Sequence, residues 1–303
     1  MITLNEIRVA APAKLNLYLH VTDRRADGYH ELDSLVCFAD IHDTIIVRPS
    51  DQLTFHISGP YGDLLQESAG ATGLPENLVI RAARRLAELT GRVPHVHLEL
   101  IKRLPIASGI GGGSADAAAT LKALCRLWGI TPSPAELHTL AQKLGADVPV
   151  CLAGKSAYMG GIGEVLESVP PLPKLGLILI NPGIPLETPP VFKARTGPFS
   201  HPARFSAAPK TPEEFINLLH ARHNDLMPPA IRLAPVIATV LEELKVTTKC
   251  LLARMSGSGA TCFGLYRNIS EAETAAKALK SSHPQWWIAP GQLVHDCDKI
   301  IPA

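Results

Sequence analysis

Residues 13–21 alternate apolar and polar side chains with a period of two, which predicts a β-strand. The apolar odd-numbered residues take one face, and the other face carries Lys14, Asn16, Tyr18 and His20. Further strands are predicted at 43–47, 53–57, 95–101, 176–180, about 249–255 and 261–266; residues 95–101 alternate in the same way, whereas 176–180 is a continuous apolar run. Asp27-Gly28 predicts a turn after the first strand.

Helices are predicted where apolar residues recur every three or four positions and where capping residues mark the ends. The predicted helices are 77–89, a helix following a glycine run and ending at about Trp128, and then 134–144, 213–220, 231–245 and 270–281. Residues 196–212 contain several Pro, Ser and Ala without periodicity, which predicts a surface excursion. Helices and strands intermix without regular β-α-β units, so the sequence favours an α+β fold over a doubly wound sheet.

Composition narrows the class of protein. The chain has 303 residues and 46% hydrophobic content, enough for a large core and two domains. With 29 basic and 28 acidic residues, net charge +1 favours neither nucleic acid nor an anionic membrane as a partner. Six cysteines without a C-x-x-C pair indicate reduced thiols. No signal peptide or membrane-spanning apolar stretch is expected, so the sequence predicts a cytoplasmic enzyme.

The run Pro105-Ile-Ala-Ser-Gly-Ile-Gly-Gly-Gly-Ser-Ala115 leads directly into a helix. Glycines let backbone N–H groups converge, and a helix N-terminus adds unpaired donors and a positive dipole end, so this loop predicts an anion site. It is not a Walker A loop, because Pro149 stands where the first glycine before Gly154-Lys155-Ser156 belongs. It is not a dinucleotide fingerprint either, because Ser114 replaces the last glycine. A second glycine-rich turn, 256–260, lies between two predicted strands.

These loops resemble the second and third motifs of the GHMP kinases, the family of galactokinase and of homoserine, mevalonate and phosphomevalonate kinases. Similar motifs lie near 12–32, 145–149 and 190–193, so the resemblance covers nearly the whole chain. It implies the GHMP kinase fold: two two-layer α+β domains, residues 1–165 and 166–303, with the active site in the cleft between them.

The resemblance implies ATP with Mg²⁺ as the phosphate donor. The implied ATP-binding residues are Pro105, Ile106, Ala107, Ser108, Gly109, Ile110, Gly111, Gly112, Gly113, Ser114 and Ala115, with Ser256, Gly257, Ser258 and Gly259. Ala107 and Ser108 replace the usual Gly-Ala, and Ile110 replaces Leu; these changes keep small or apolar side chains. The metal ligands are left open. Ser114 and Asp116 could touch magnesium, Asp116 could equally serve the helix dipole alone, and no counterpart is found for the glutamate of the mevalonate kinase branch.

Two residues of these motifs are the implied catalytic pair. Lys14, in Pro-Ala-Lys-Leu-Asn-Leu, would stabilise charge beside the acceptor hydroxyl, and Asp147, in Gly-Ala-Asp-Val-Pro, would accept its proton. An isolated lysine on a solvated strand face and a turn aspartate are the alternative interpretations.

The substrate-binding residues are also implied by the resemblance. Tyr29 and Phe192 would stack on cytosine, His30 would bond its polar edge, and Asn16 would hold substrate beside Lys14. They point to the branch that phosphorylates the 2-hydroxyl of 4-diphosphocytidyl-2-C-methyl-D-erythritol in the non-mevalonate isoprenoid route. Another small-alcohol kinase of the family, of the homoserine or mevalonate type, and a non-catalytic nucleotide-binding homologue remain alternatives. The residues themselves indicate a kinase of a small hydroxyl compound. Asn224-Asp225 also resembles a branch element, for which a capping role is expected.

Overall fold

The computed structural model describes residues 6–63 and 77–302, so the prediction made for the first residues of the chain lies outside the described part. The strands are β1 Ile7–Arg24, β2 His30–Pro49, β3 Thr54–Ser58, β4 Val96–Ile101, β5 Ala157–Gly161, β6 Val165–Ser168, β7 Gly176–Asn181, β8 Leu252–Met255, β9 Cys262–Tyr266 and β10 Trp287–Val294. The helices are α1 Leu78–Leu89, α2 Gly112–Trp128, α3 Pro134–Leu144, α4 Val148–Ala153, α5 Thr188–Lys193, α6 Pro212–His220, α7 Met227–Leu233, α8 Val236–Val246 and α9 Ile269–Ser282.

The main path of the sheet runs β3-β4-β2-β10-β7-β9-β8, with β1 and β5 also paired to β2. All pairings are antiparallel except that of β3 with β4. The mixture of helices and mainly antiparallel strands confirms the predicted α+β class. Strand β10 joins the two halves of the sheet, because Leu293 and Val294 pair with β2 while the rest of β10 pairs with β7. The domain boundary at residue 165 stays a prediction.

Local capping signals place several helix ends where the sequence predicts them. Asn77 Oδ1 accepts a hydrogen bond from the N–H of Val79 and begins α1. A capping box of Ser133 and Glu136 begins α3, and Gly129 in the left-handed region ends α2. The prediction of one helix over 231–245 is wrong. The chain breaks at Ala234 between α7 and α8, because the following proline disfavours helical backbone at the residue before it.

The predicted alternation along β1 is correct only as far as a β-bulge. Asn16 pairs with Val36 whereas Tyr18 pairs with Leu35, so β1 carries one extra residue between them. The bulge moves Tyr18 off the face of Lys14 and into an apolar cluster, and it turns Leu19 toward the cavity described below. The prediction that Tyr18 shares a face with Lys14 is therefore wrong.

Strand β1 also ties the core together. Its side chains enter three apolar clusters in turn: Val9 packs with α1 and α2, Leu15 with the sheet centre and α6, and Val21 with α8 and α9. Every residue from Ala11 to Val21 is buried. A polar side chain on this strand is therefore held by rigid surroundings.

Candidate active site

The glycine run forms a tight loop that ends as the N-terminus of α2. Gly109 and Gly111 have φ of 72° and 64°, a region that glycine adopts without strain. No side chain caps α2, so the first N–H groups of the helix remain available to an anion. Ala107 also has positive φ, 48°, although it carries a Cβ.

The two glycine-rich loops pack directly on each other. Ser256 Oγ donates to the carbonyl of Gly109 at 3.1 Å, and the N–H of Thr261 donates to the carbonyl of Ser108 at 3.1 Å. A Cβ on Gly109 would lie 2.5 Å from the carbonyl oxygen of Gly259, so the contact requires glycine. Asn224 holds the second loop from behind, since its Nδ2 donates to the carbonyls of Met255 and Gly257 at 2.9 and 2.8 Å. Its Oδ1 also accepts from the N–H of Leu226, just before α7.

Lys14 and Asp147 meet beside the first loop. The distance between Lys14 Nζ and Asp147 Oδ2 is 3.0 Å; the lysine side chain is 4% exposed and the aspartate 33%. Helix α4 starts at the residue after Asp147, with a proline in its first turn, which fixes the backbone there. A Cβ on Gly111 would lie 3.8 Å from Asp147 Oδ2. A fixed ammonium and an accessible carboxylate thus lie where the loop meets α2, an arrangement suited to deprotonating a hydroxyl.

Asn16 connects this pair to the second loop. Its Oδ1 accepts from Lys14 Nζ at 3.0 Å, its Nδ2 donates to Ser34 Oγ at 2.9 Å, and its backbone N–H donates to Ser256 Oγ at 3.2 Å. The side chain is fully buried by the protein yet borders the cavity. Its contacts fix the direction of the amide and of the lysine.

A buried group of charges that the sequence did not predict lies beneath the loop. Lys102 Nζ donates to Asp43 Oδ2 at 2.5 Å and to Asp116 Oδ2 at 2.7 Å. Burial opposes the lysine charge, but the two carboxylates prevail and raise the pKa of Lys102. Burial raises the pKa of Asp116 to about 8, although Lys102 favours its ionised form. Lys102 follows the end of β4, and no motif in the sequence marks it or its partner Asp43.

Aromatic residues form the far wall. The rings of His30 and Phe192 stack with centroids 5.0 Å apart and planes at 26°, while Tyr29 is 61% exposed in the turn before β2. Burial lowers the pKa of His30, and Arg24 and Arg195 act in the same direction. A neutral imidazole can donate and accept one hydrogen bond each, which suits the edge of a nucleobase.

One open cavity of ≈ 1530 Å³ joins these features. The predicted site residues that line it are Lys14, Asn16, Tyr29, His30, Pro105, Ile106, Ala107, Ser108, Gly109, Gly111, Gly112, Gly113, Ser114, Asp147, Phe192, Gly257 and Ser258. Four residues predicted to bind ATP do not line it: Ile110, Ala115, Ser256 and Gly259. Ile110 and Ala115 are core residues, and the other two support the loop contact from behind. Among the described residues no helix has the length and hydropathy to cross a membrane.

Family models match both parts of the chain. The model of the GHMP kinases N terminal domain matches residues 77–155, and that of the GHMP kinases C terminal domain matches residues 206–285. The first match contains the glycine loop and Asp147, and the second contains the 256–260 turn.

Full-length relatives are also found. The 4-diphosphocytidyl-2-C-methyl-D-erythritol kinase of Paramagnetospirillum magneticum is 52% identical over 96% of this chain and all of its own length. The protein of that name from Rhodospirillum rubrum is 50% identical over 97% of this chain and 95% of its own length.

Solved structures of GHMP kinases resemble the chain as well. The crystal structure of a 4-(cytidine 5'-diphospho)-2C-methyl-D-erythritol kinase has a TM-score of 0.75 at 35% identity, over 95% of this chain and 99% of that one. A homoserine kinase from Cytophaga hutchinsonii shares the fold alone, with a TM-score of 0.70 at 19% identity over 98% of this chain and 96% of that one. The chain therefore belongs to the GHMP kinase family, whose members use ATP as phosphate donor, and within it to the branch whose members are named 4-diphosphocytidyl-2-C-methyl-D-erythritol kinase.

Proposed function

We propose that this protein transfers the γ-phosphoryl group of ATP to the 2-hydroxyl of 4-diphosphocytidyl-2-C-methyl-D-erythritol, giving the 2-phosphate and ADP. This reaction belongs to the non-mevalonate route of isoprenoid synthesis. One observation carries the proposal: the Lys14–Asp147 pair, with its 3.0 Å contact, lies in the same cavity as the glycine loop and the aromatic wall. The full-length relatives of that name support the choice of substrate.

In this proposal Asp147 accepts the proton of the substrate hydroxyl as its oxygen attacks phosphorus. Its 33% exposure leaves the carboxylate open to the cavity, while Lys14 is held from the other side by Asn16. The ammonium stabilises negative charge on the attacking oxygen and the transferring group. Because Lys14 lies on the buried strand β1, it keeps this position without substrate.

The glycine loop and the N-terminus of α2 bind the phosphates through backbone N–H groups. Mg²⁺ prefers oxygen ligands from one or two carboxylates together with phosphates. The donor set fits it, because the buried Asp116 Oδ1 has no hydrogen-bond partner among the described residues and Ser114 lines the cavity nearby. These two residues would hold the ion, which neutralises phosphate charge when bound.

At the far wall, cytosine would lie against the His30–Phe192 surface, with the exposed ring of Tyr29 closing on it. Stacking of a base on an aromatic ring contributes about 1–3 kcal/mol. We propose a cytoplasmic location, consistent with six free cysteines. No nucleic-acid partner is part of the proposal, because the net charge of +1 supplies no general attraction to phosphate chains.

The test offers ATP to the purified protein with the cytidylated alcohol, homoserine and mevalonate in parallel. We expect turnover of the cytidylated alcohol alone. Turnover of homoserine or mevalonate without it would refute the substrate. Asp147→Asn should reduce kcat by about 10²- to 10⁴-fold, the usual contribution of a general base. Unchanged turnover in this variant would show that Asp147 is not the base and would reopen the case for a non-catalytic site.

A further inference from the structure

The charged group beneath the glycine loop consists of Lys102, Asp43 and Asp116, and its two carboxylates differ in how many of their oxygens accept hydrogen bonds. Asp43 has both oxygens occupied: Oδ2 accepts from Lys102, and Oδ1 accepts from the N–H groups of Arg103 and Leu104 at 2.5 and 2.8 Å. Asp116 Oδ2 also accepts from Lys102, but its Oδ1 has no partner among the described residues. Asp116 is only 3% exposed. An unsatisfied buried acceptor costs about 1–3 kcal/mol, and more when charged, so a partner for this oxygen is expected.

The unsatisfied oxygen belongs to a residue that borders the nucleotide cavity. Asp116 and Lys102 line it together with the glycine loop, whereas Asp43 does not. Gly112 is the loop residue that lies beside the charged group. It has ordinary helical backbone, so its conformation does not require glycine, but a Cβ there would lie 3.1 Å from Lys102 Nζ. Because glycine has no side chain, the charged group can lie close to a ligand bound by the loop.

The charges indicate which kind of partner fits. One ammonium balances one of the two carboxylates, so an ionised Asp116 adds a negative charge that has no counter-ion of its own among the described residues. A triphosphate in the adjacent loop would be repelled by it at short range. A divalent cation between the carboxylate and the phosphates removes the repulsion and satisfies the free oxygen. Mg²⁺ is commonly bound in this way, by one or two carboxylates and the phosphates of its nucleotide.

We propose that Asp116 Oδ1 is the protein's carboxylate ligand for the Mg²⁺ that accompanies ATP. Lys102 is a positioning residue, since its hydrogen bond to Oδ2 leaves Oδ1 directed to the metal. The proposal rests on the proposed ATP-dependent function and deepens it.

The test measures binding of the non-hydrolysable analogue AMP-PNP by titration calorimetry, once in EDTA and once in Mg²⁺. For the wild type we expect Mg²⁺ to tighten binding by about tenfold or more, in line with the effect of groups that support a metal site. Asp116→Asn should bind the analogue in EDTA at least as well as the wild type and gain less than about threefold from Mg²⁺. Asp43→Asn is the matched control, because it also removes a carboxylate from Lys102 but lies outside the cavity; it should keep most of the Mg²⁺ effect.

Three other outcomes of the titrations would overturn the proposal, and a fourth would refute the proposed function. A full Mg²⁺ effect in Asp116→Asn would overturn the proposal, and so would an equal loss of the effect in both variants. Weaker binding of Asp116→Asn by the same factor in EDTA and in Mg²⁺ would show that Asp116 contacts the nucleotide itself, which also overturns it. If wild-type protein fails to bind AMP-PNP in either condition, the proposed function has failed instead.

A second variant tests direct ligation and does not depend on the folding of Asp43→Asn. A thiolate at position 116 is a poor ligand for Mg²⁺ and a good one for Cd²⁺, a soft ion. Asp116→Cys should therefore lose the Mg²⁺ effect on AMP-PNP binding and recover it in Cd²⁺, relative to wild-type protein in the same ion. Absence of any Cd²⁺ recovery in folded Asp116→Cys would contradict direct ligation.

Discussion

Replacing Gly109 by alanine should separate the two glycine-rich loops. At a φ of 72°, a Cβ costs about 1–2 kcal/mol in backbone strain alone. It would also lie 2.5 Å from the carbonyl oxygen of Gly259 and 2.8 Å from that of Ser256, both main-chain atoms that cannot rotate away. Overpacking of this kind costs about 1–3 kcal/mol more. The expected total loss in the free energy of unfolding is about 2–5 kcal/mol.

Gly129→Ala is the matched control. Gly129 has a similar φ of 61°, but a Cβ there would meet nothing within 4 Å, so we expect only the strain of about 1–2 kcal/mol. Urea denaturation followed by circular dichroism gives both values. AMP-PNP binding should weaken by about tenfold or more in Gly109→Ala, because a 1 Å displacement in an organised site is costly, and should be unchanged in Gly129→Ala. Equal destabilisation in the two variants, with nucleotide binding intact in both, would refute the argument that contact between the loops organises the site.

Three further predictions concern a strained residue, the aromatic wall and a buried histidine. Ala107→Gly should raise the free energy of unfolding by about 1 kcal/mol in urea denaturation, since it relieves a φ of 48°. Ala278→Gly, on the exposed face of α9, should lower the free energy of unfolding by about 1 kcal/mol. A lower free energy of unfolding in both variants would contradict strain at the loop. Phe192→Ala should raise KM for the cytidylated substrate by roughly ten- to a hundredfold and leave KM for ATP unchanged; equal rises in steady-state assays would mean that the ring only supports the fold. Burial lowers the pKa of His20, so the imidazole takes up a proton more readily in the unfolded chain than in the folded protein. The stabilisation of the folded protein that is present above about pH 6.5 is therefore lost as pH falls. His20→Asn should flatten the dependence of the melting temperature on pH in thermal melts, and an unchanged dependence would exclude His20 as its source.

Elements that depend on local signals could be predicted from the sequence. The period and caps of α1 and α3 decide their ends within a few residues, and the glycine run determines both the loop and the start of α2. Most of the predicted site residues line the cavity, because they belong to short motifs whose residue types determine the local backbone. The physical reason is the same in each case: glycine, proline and capping side chains act on their own backbone.

Features that depend on distant segments could not be predicted. The bulge that separates Asn16 from Tyr18 is a property of the pairing with β2, and no pattern within β1 reveals it. The single predicted strand at 43–47 becomes the 20-residue β2, because its long partner β1 continues the pairing. Lys102 looks like a surface lysine in the sequence, since its two carboxylate partners are 59 and 14 residues away. The Lys14–Asp147 pair could be predicted because both residues belong to motifs, whereas no motif marks Lys102.

The structure also indicates which part of the site is preorganised. Lys14 and Asn16 lie on a buried strand whose side chains enter all three apolar clusters, and Asn16 is hydrogen-bonded to the second loop. Movement of the loops would therefore break core packing as well as hydrogen bonds, which makes it costly. The side chain of Tyr29 is less constrained: it is 61% exposed, although the backbone of the turn is hydrogen-bonded to Arg25 and Asp27. Under the proposed function, ordering on substrate binding would therefore fall on the aromatic wall, whereas the phosphates and the acceptor hydroxyl would meet groups that are already in place.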